Sequence, residues 1–297
     1  MSEIIRLAII GGSGLYEMPG LKDAREHEMD TPFGKTSAPI VTGTLEGERV
    51  AFLARHGIGH HITPGEVPYR ANIYALKSLG VERIVSVSAC GSLREEFAPG
   101  DIVIPDQIYD NTHQRARSFF GEGLVAHVSV ADPFCVDLST QVETAARLAL
   151  RNVEGAARGA VHRGGSFITI EGPRFSTKAE SNTYRMWGMS VIGMTASPEA
   201  FLAREAEICY ATMAHVTDYD VWHVSEQPVT VEMVIQTLNK NTSLAQEAVR
   251  FLARELKHER DCECGHALST ALITRKDVVP IETLTKLDLL VKKYFDE

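Results

Sequence analysis

No apolar run in this 297-residue chain approaches the roughly 20 residues needed to span a bilayer, so nothing in it reads as a membrane segment. Positive charge is also short: 30 Lys and Arg stand against 39 Asp and Glu, a formal charge of -9. That balance excludes a general field for nucleic acid or an anionic membrane, so any anionic ligand must be held locally. The opening MSEIIRLAIIGGSG sets acid and base around a short apolar run that leads into glycines. It reads as a first strand rather than a signal peptide, and the expected location is cytoplasmic. Repeats, low-complexity tracts and Pro/Gly/Ser-rich linkers are missing, so residues 1–297 are expected to form one domain, with a helical region from about 231 to 297 packed on it. Aromatic residues make up only 7%, but 44% hydrophobic content is enough for a full core.

Five cysteines is a small and odd number. Cys90, Cys135 and Cys209 lie in apolar or strand-like contexts, where a buried free thiol is expected. Cys262 and Cys264 form a C-x-C with neither a second cysteine pair nor a matching histidine pair, so structural zinc is not expected; two surface thiols or a strained local disulfide remain.

Apolar strand-like runs recur at Ile4 to Ile10, Val50 to Ala54, Arg83 to Ser88, Asp101 to Ile104, Ser166 to Ile170, Ser190 to Met194 and Cys209 to Val216. Amphipathic stretches lie between them at Tyr69 to Leu79, Leu138 to Leu150, Lys178 to Trp187 and Pro198 to Ala206. The alternation predicts an α/β fold with a mainly parallel or mixed sheet covered on both faces. Thr177 followed by Glu180 has capping-box spacing, Ser197 precedes a first-turn proline, and Gly188 can close the helix before it.

Polar clusters follow these strands: Gly11-Gly12-Ser13-Gly14, Arg55-His56-Gly57, Ala89-Cys90-Gly91-Ser92, Glu171 to Phe175, Thr195, and Thr217-Asp218-Tyr219-Asp220. Ligands bind at the carboxyl ends of strands in open α/β sheets, so these clusters can converge on one pocket. A dinucleotide fingerprint is excluded because Glu17 stands where the third glycine belongs, and no Gly-Lys-Ser/Thr is present. The glycine turn is either a plain tight turn or a place where backbone N–H groups and the Ser13 hydroxyl approach an anion. Arg55 offers a planar fork for phosphate or carboxylate oxygens, or else makes a surface ion pair, while Ser88, Ala89 and Gly91 can add donors. His56, His60 and His61 near Glu66 suggest a metal centre, but Gly57, Gly59 and Pro64 favour a mobile loop over the anion site. Asp218 and Asp220 are either a solvated acidic turn or a buried pair with raised pKa values. In the second case one carboxyl could stay protonated and donate while the other accepts, a pair that would suit N7 and the exocyclic amine of a departing 6-aminopurine.

The segments GGSGLY, TPFGK, LARHG, ACGSLREE, GDIVIPDQ, TIEGPRFSTKAES and VTDYDVW, in this order from Ile9 to about Leu238, resemble the trimeric purine nucleoside phosphorylase and methylthioadenosine phosphorylase family. The resemblance implies a single-domain phosphorylase fold, with a central mixed, mostly parallel β-sheet flanked by α-helices. It further implies a homotrimer or a pair of trimers with sites at subunit boundaries, no metal and no organic cofactor, and inorganic phosphate as co-substrate. The implied reaction is phosphorolysis of 5'-methylthioadenosine; the alternative is a phosphorylase of adenosine or of 6-oxopurine nucleosides such as inosine. By motif, Ser13, Arg55, His56, Ser88, Ala89 and Thr195 would hold phosphate. Met194 would lie on the sugar, Phe175 on the purine face, and Thr217 beside it, with Asp218 and Asp220 at N7 and the 6-amino group. His127 would enter a neighbouring subunit's site, and Val231, Val234 and Ile235 would line a methylthio pocket. Relatives specific for 6-oxopurines typically carry Asn where Asp220 stands. The segment CECGHALSTALIT departs from the animal enzymes and looks like the form in some microbial ones.

Overall fold

The computed structural model describes residues 4–12, 15, 18–152, 159–223 and 231–295, with residues 231–240 described by their backbone alone. The chain opens with β1 (Leu7–Gly11), β2 (Lys22–His27), the short β3 (Asp30–Thr31) and β4 (Gly34–Lys35), β5 (Ile40–Leu45) and β6 (Glu48–Ala54). Helix α1 (Tyr69–Ser78) leads to β7 (Arg83–Ser92), β8 (Ile102–Ile104) and β9 (Gln107–Asn111). Next come α2 (Val136–Asn152), β10 (Val161–Arg163), β11 (Ser166–Ile170), α3 (Lys178–Met186) and β12 (Val191–Gly193). Helix α4 (Ala196–Glu205), β13 (Cys209–Asp218), α5 (Val231–Arg254) and α6 (Ile281–Phe295) complete the order.

Eleven strands form one sheet, ordered β10-β8-β13-β7-β1-β6-β5-β2, with β12 also on β7 and β11 linking β12 to β9. Strands β13, β7, β1 and β6 run parallel at its centre, and antiparallel partners appear at β5, β2 and β8. The sheet is mixed and mostly parallel, and helices cover both faces. Strand β1 is buried throughout, as expected of a strand between two layers, and its side chains alternate. Leu7 and Ile9 join Leu138, Val142 and Ala146 of α2 and Leu244, Ala248 and Leu252 of α5 in one core layer. Ala8 and Ile10 face Ile73 and Leu76 of α1, Leu202 and Ala203 of α4, and Leu287 and Leu290 of α6 in the other. The i, i+4 and i+8 spacing of Leu138, Val142 and Ala146 gives α2 its buried stripe.

Four details depart from the sequence expectation. Strands β7 and β13 run on through Ser92 and Asp218, so residues expected in loops lie in extended strand. Strand β2, KDAREH, is largely exposed and has no apolar alternation to mark it; pairing with β5 builds it. Thr177 makes its capping box, but Ser197 makes no cap bond: it has extended φ and ψ and its hydroxyl is buried without a partner among the described residues. Cys262 and Cys264 are not two surface thiols, because Cys264 is buried and Cys262 half-buried, and both meet Cys135 and Cys209.

Candidate active site

The carboxyl ends of the central strands enclose a cavity of about 240 Å³. Gly12 follows β1, Arg55 and His56 follow β6, and Ser88 and Ala89 stand on β7. Phe175 follows β11, and Met194 and Thr195 follow β12; Thr217, Asp218 and Asp220 come from the end of β13. Thus ten of the sequence-derived site residues line one space. Ser13 lies outside the described residues, as do the side chains of Val231, Val234 and Ile235. His127 is not in this cavity; it sits in a separate surface groove with Arg117, Ser118 and Glu205.

On the side where an anion was expected lies a connected row of donors. Arg55 is buried, and its fork is not wholly free: Nε and Nη2 donate to the two carboxylate oxygens of Glu199 at 2.7 and 2.8 Å. The ion pair foreseen at the surface is therefore internal, with residue exposures of 2% and 1%, and it locks the guanidinium plane. Burial opposes the charged form of Arg55, but the Glu199 carboxylate outweighs it and holds the guanidinium protonated. Arg55 Nη2 also donates to Ser86 Oγ at 2.7 Å, Ser86 Oγ lies 3.3 Å from Ser88 Oγ, and Ser88 Oγ lies 3.1 Å from Thr195 Oγ1. Glu199 and Ser86 escaped the sequence reading, which looked only past the strand ends. A carboxylate in an apolar first turn was the available signal.

His56 is neutral: burial first, and the Arg55 charge next, lower its pKa to about 4. Its Nδ1 donates to the Ile62 carbonyl at 3.0 Å, which leaves Nε2 as a lone-pair acceptor. The ring stacks on His60 with centroids 4.4 Å apart. His61 Nδ1 instead bonds the Ile58 carbonyl, and Glu66 bonds Thr63, so these groups are spent on shaping the loop.

On the opposite chemical side stand the two carboxylates. Between Val216 and Asp218 the register of β13 on β7 shifts, which makes Thr217 an extra residue and re-aims the residues after it. Asp218 Oδ2 accepts from Thr217 Oγ1 at 2.6 Å, and Oδ1 accepts from the Asp220 N–H at 2.7 Å. Thr217 Oγ1 also lies 3.2 Å from the Cys90 carbonyl, so a protonated Asp218 can donate to Thr217 while Thr217 donates to Cys90. Either protonation state of Asp218 is thus satisfied. Asp220 is buried at a φ of 50°, and its Oδ2 has no partner among the described residues. Burial raises the Asp218 pKa; burial, reinforced by the Asp218 charge, raises that of Asp220 to about 6. These are not a solvated acidic turn. Gly91 permits their approach, since a Cβ there would stand 3.0 Å from Asp218 Oδ1 and 3.3 Å from Asp220 Cβ.

Other groups fix the walls. Arg115 donates to the Met194 and Ser197 carbonyls and to the Glu171 backbone, each at 2.7 Å, and pairs with the Glu171 carboxylate at 2.9 Å. The Thr177 capping box, with Glu180 also pairing Arg174 at 2.6 Å, orders the segment that presents Phe175, which is 38% exposed at the cavity mouth. His215, Ser176 and Asn241 also line the cavity, and His215 Nδ1 and Nε2, Ser176 Oγ and Asn241 Nδ2 are buried without partners among the described residues. Burial lowers the His215 pKa to about 4, so it too is neutral. A lone histidine between Ala214 and Val216 in β13 was the one sequence signal for it.

Residues 6–254 match the sequence pattern of the phosphorylase superfamily. A protein of Koribacter versatilis named S-methyl-5'-thioadenosine phosphorylase is 54% identical over 292 residues, covering 98% of this chain and 97% of its own. One of the same name from Geobacter sulfurreducens is 54% identical over 289 residues, covering 97% and 98%. Among solved structures, a methylthioadenosine phosphorylase from an antarctic soil metagenomic library superposes with a TM-score of 0.89 at 49% identity, covering 97% of this chain and 99% of that one. The methylthioadenosine phosphorylase of Schistosoma mansoni in complex with adenine superposes at 0.81 with 37% identity, covering 89% and 96%.

Proposed function

The chain belongs to the phosphorylase superfamily and, within it, to the S-methyl-5'-thioadenosine phosphorylases; from that premise and the cavity's chemistry we infer that it converts 5'-methylthioadenosine and phosphate to adenine and 5-methylthioribose 1-phosphate. The observation that carries this reading is one cavity holding both a cation-and-hydroxyl row and a pair of buried carboxylates with raised pKa values. Phosphate is a co-substrate in this reading, and the chemistry draws on no metal or organic cofactor. Arg55, Ser88, Thr195 and the Ala89 and Ser13 positions hold the anion beneath the ribose. Neutral His56 presents Nε2 to a protonated phosphate oxygen. The sugar lies against Met194, the purine against Phe175, and the methylthio group reaches Val231, Val234 and Ile235.

As the glycosidic bond breaks, positive charge develops on the ribose, where the bound phosphate stabilises it, and negative charge on the purine, where a proton at N7 relieves it. Adenine itself sorts the proton between the carboxyls. Its 6-amino group, donating to Asp220 Oδ2, which has no hydrogen-bond partner among the described residues, favours the Asp220 anion; the N7 lone pair favours protonated Asp218. Asp218 is thus the acid and Asp220 the base reader. We further take the enzyme to be a cytoplasmic homotrimer, or a pair of trimers, in purine and methionine salvage, with His127 supplied across a subunit boundary.

The test is release of free base from methylthioadenosine, adenosine and inosine, each with and without inorganic phosphate. Phosphate-dependent adenine release, fastest from methylthioadenosine, is the expected result. Phosphate-independent release makes the protein a hydrolase, and preference for inosine overturns the role given to Asp220.

A further inference from the structure

Four of the five cysteines come together outside the catalytic cavity, whose lining includes none of the four. Cys135 immediately precedes α2, Cys209 opens β13, and Cys262 and Cys264 flank one residue in the turn after α5. Three segments more than fifty residues apart in sequence therefore meet at one point. The sulfurs of Cys135, Cys209, Cys262 and Cys264 all lie within 4.8 Å of one another, and Cys209 and Cys262 are 3.4 Å apart.

We propose that Cys135, Cys209, Cys262 and Cys264 form a tetrathiolate site for one zinc ion, which pins the turn after α5 to β13 and to the start of α2. Zinc bound by four thiolates at about 2.3 Å holds its sulfurs about 3.8 Å apart, so the gathered thiols need contract by at most about 1 Å. Burial as small hydrophobes accounts for any one of these cysteines; it does not require four sulfurs to face a common centre. At the start of α2 the Leu138 N–H donates to Cys135 Sγ at 3.5 Å, a contact that also serves a ligating thiolate. On binding, each thiol that ligates releases its proton to solvent, and no redox step is involved. Half-exposed Cys262 provides the entry path. A C-x-C pair alone lacks a complete ligand set; the fold supplies the other two ligands.

The experiment is metal analysis of the full-length enzyme purified under reducing conditions without chelator, with intact mass measured in parallel. The expected result is one zinc per chain and a mass with all five cysteines reduced. Cobalt(II) added to demetallated protein should give thiolate-to-metal charge-transfer bands and the intense d–d bands of a tetrahedral site. The double variant Cys262→Ser/Cys264→Ser should lose the metal, whereas Cys90→Ser, whose thiol belongs to the catalytic cavity, should keep it. Absence of stoichiometric zinc together with no cobalt thiolate bands overturns the proposal, and this holds from the unaltered protein alone if the double variant does not fold. A mass lower by two or four hydrogens overturns it in favour of disulfides. Because the readout is metal content and mass, failure here leaves the catalytic reading untouched.

Discussion

Replacing Asp220 by Asn keeps the side chain's shape and removes its charge, so it tests base reading with little steric change. A hydrogen bond from the 6-amino group to a buried carboxylate contributes about 1.5–3 kcal/mol. Its loss should lower kcat/KM for methylthioadenosine roughly 10- to 150-fold, since about 1.4 kcal/mol is tenfold. The Asn amide can donate to a 6-oxo group, which returns about 0.5–1.5 kcal/mol to methylthioinosine. The two effects together should move the methylthioadenosine-to-methylthioinosine preference by about 2–4.5 kcal/mol, or roughly 30- to 2,000-fold. The assay is kcat/KM for both nucleosides at saturating phosphate, with phosphate KM as the control for an intact anion site. A preference ratio that stays within a few-fold of the parent refutes the placement of Asp220 Oδ2 at the purine 6-position.

Asp218→Asn should cut kcat for methylthioadenosine about 10²- to 10⁴-fold while phosphate binding, measured calorimetrically, stays close to the parent. Adenine binding to the parent should show net proton uptake on the alkaline side of the titration of the carboxyl pair, seen as a dependence of binding heat on buffer ionisation. The sign follows from burial already raising the Asp218 pKa and the N7 lone pair further favouring its protonated form in the complex; the uptake should vanish in Asp218→Asn. Glu199→Gln leaves the buried Arg55 guanidinium without its counter-charge and should destabilise the fold by about 3 kcal/mol, seen in chemical denaturation, with a raised KM for phosphate. Gly91→Ala places a Cβ 3.0 Å from both Asp218 Oδ1 and Ile192 Cγ2, so turnover should fall steeply with phosphate affinity retained; normal turnover in this variant would show that the carboxylates have room to spare.

The layered α/β architecture was legible because β1, β7 and β13 are apolar runs and α2 carries a period-3.6 stripe, signals that survive without tertiary information. Six polar clusters at strand ends also marked the cavity, because the geometry of a parallel sheet brings such ends together. Groups that act through another residue were hidden. Glu199 acts through Arg55, 144 positions away, and Arg115 through the carbonyls it gathers from Met194, Ser197 and Glu171. Strand β2 was unreadable because its residues are charged and exposed. The cysteine cluster escaped for the same reason as Glu199: the C-x-C was visible, but Cys135 and Cys209 join it only once β13 and α2 are side by side.

The left-handed backbone at Asp220, with φ of 50°, restricts which side chains can stand there. Asp, Asn and Gly hold that conformation readily, and of these only Asp and Asn carry a group that can address a base. The loop thus favours Asp or Asn at the position proposed to meet purine C6, one suited to an amine and the other to a carbonyl. On that reading, switching purine class takes a single substitution in a site whose backbone already suits either answer.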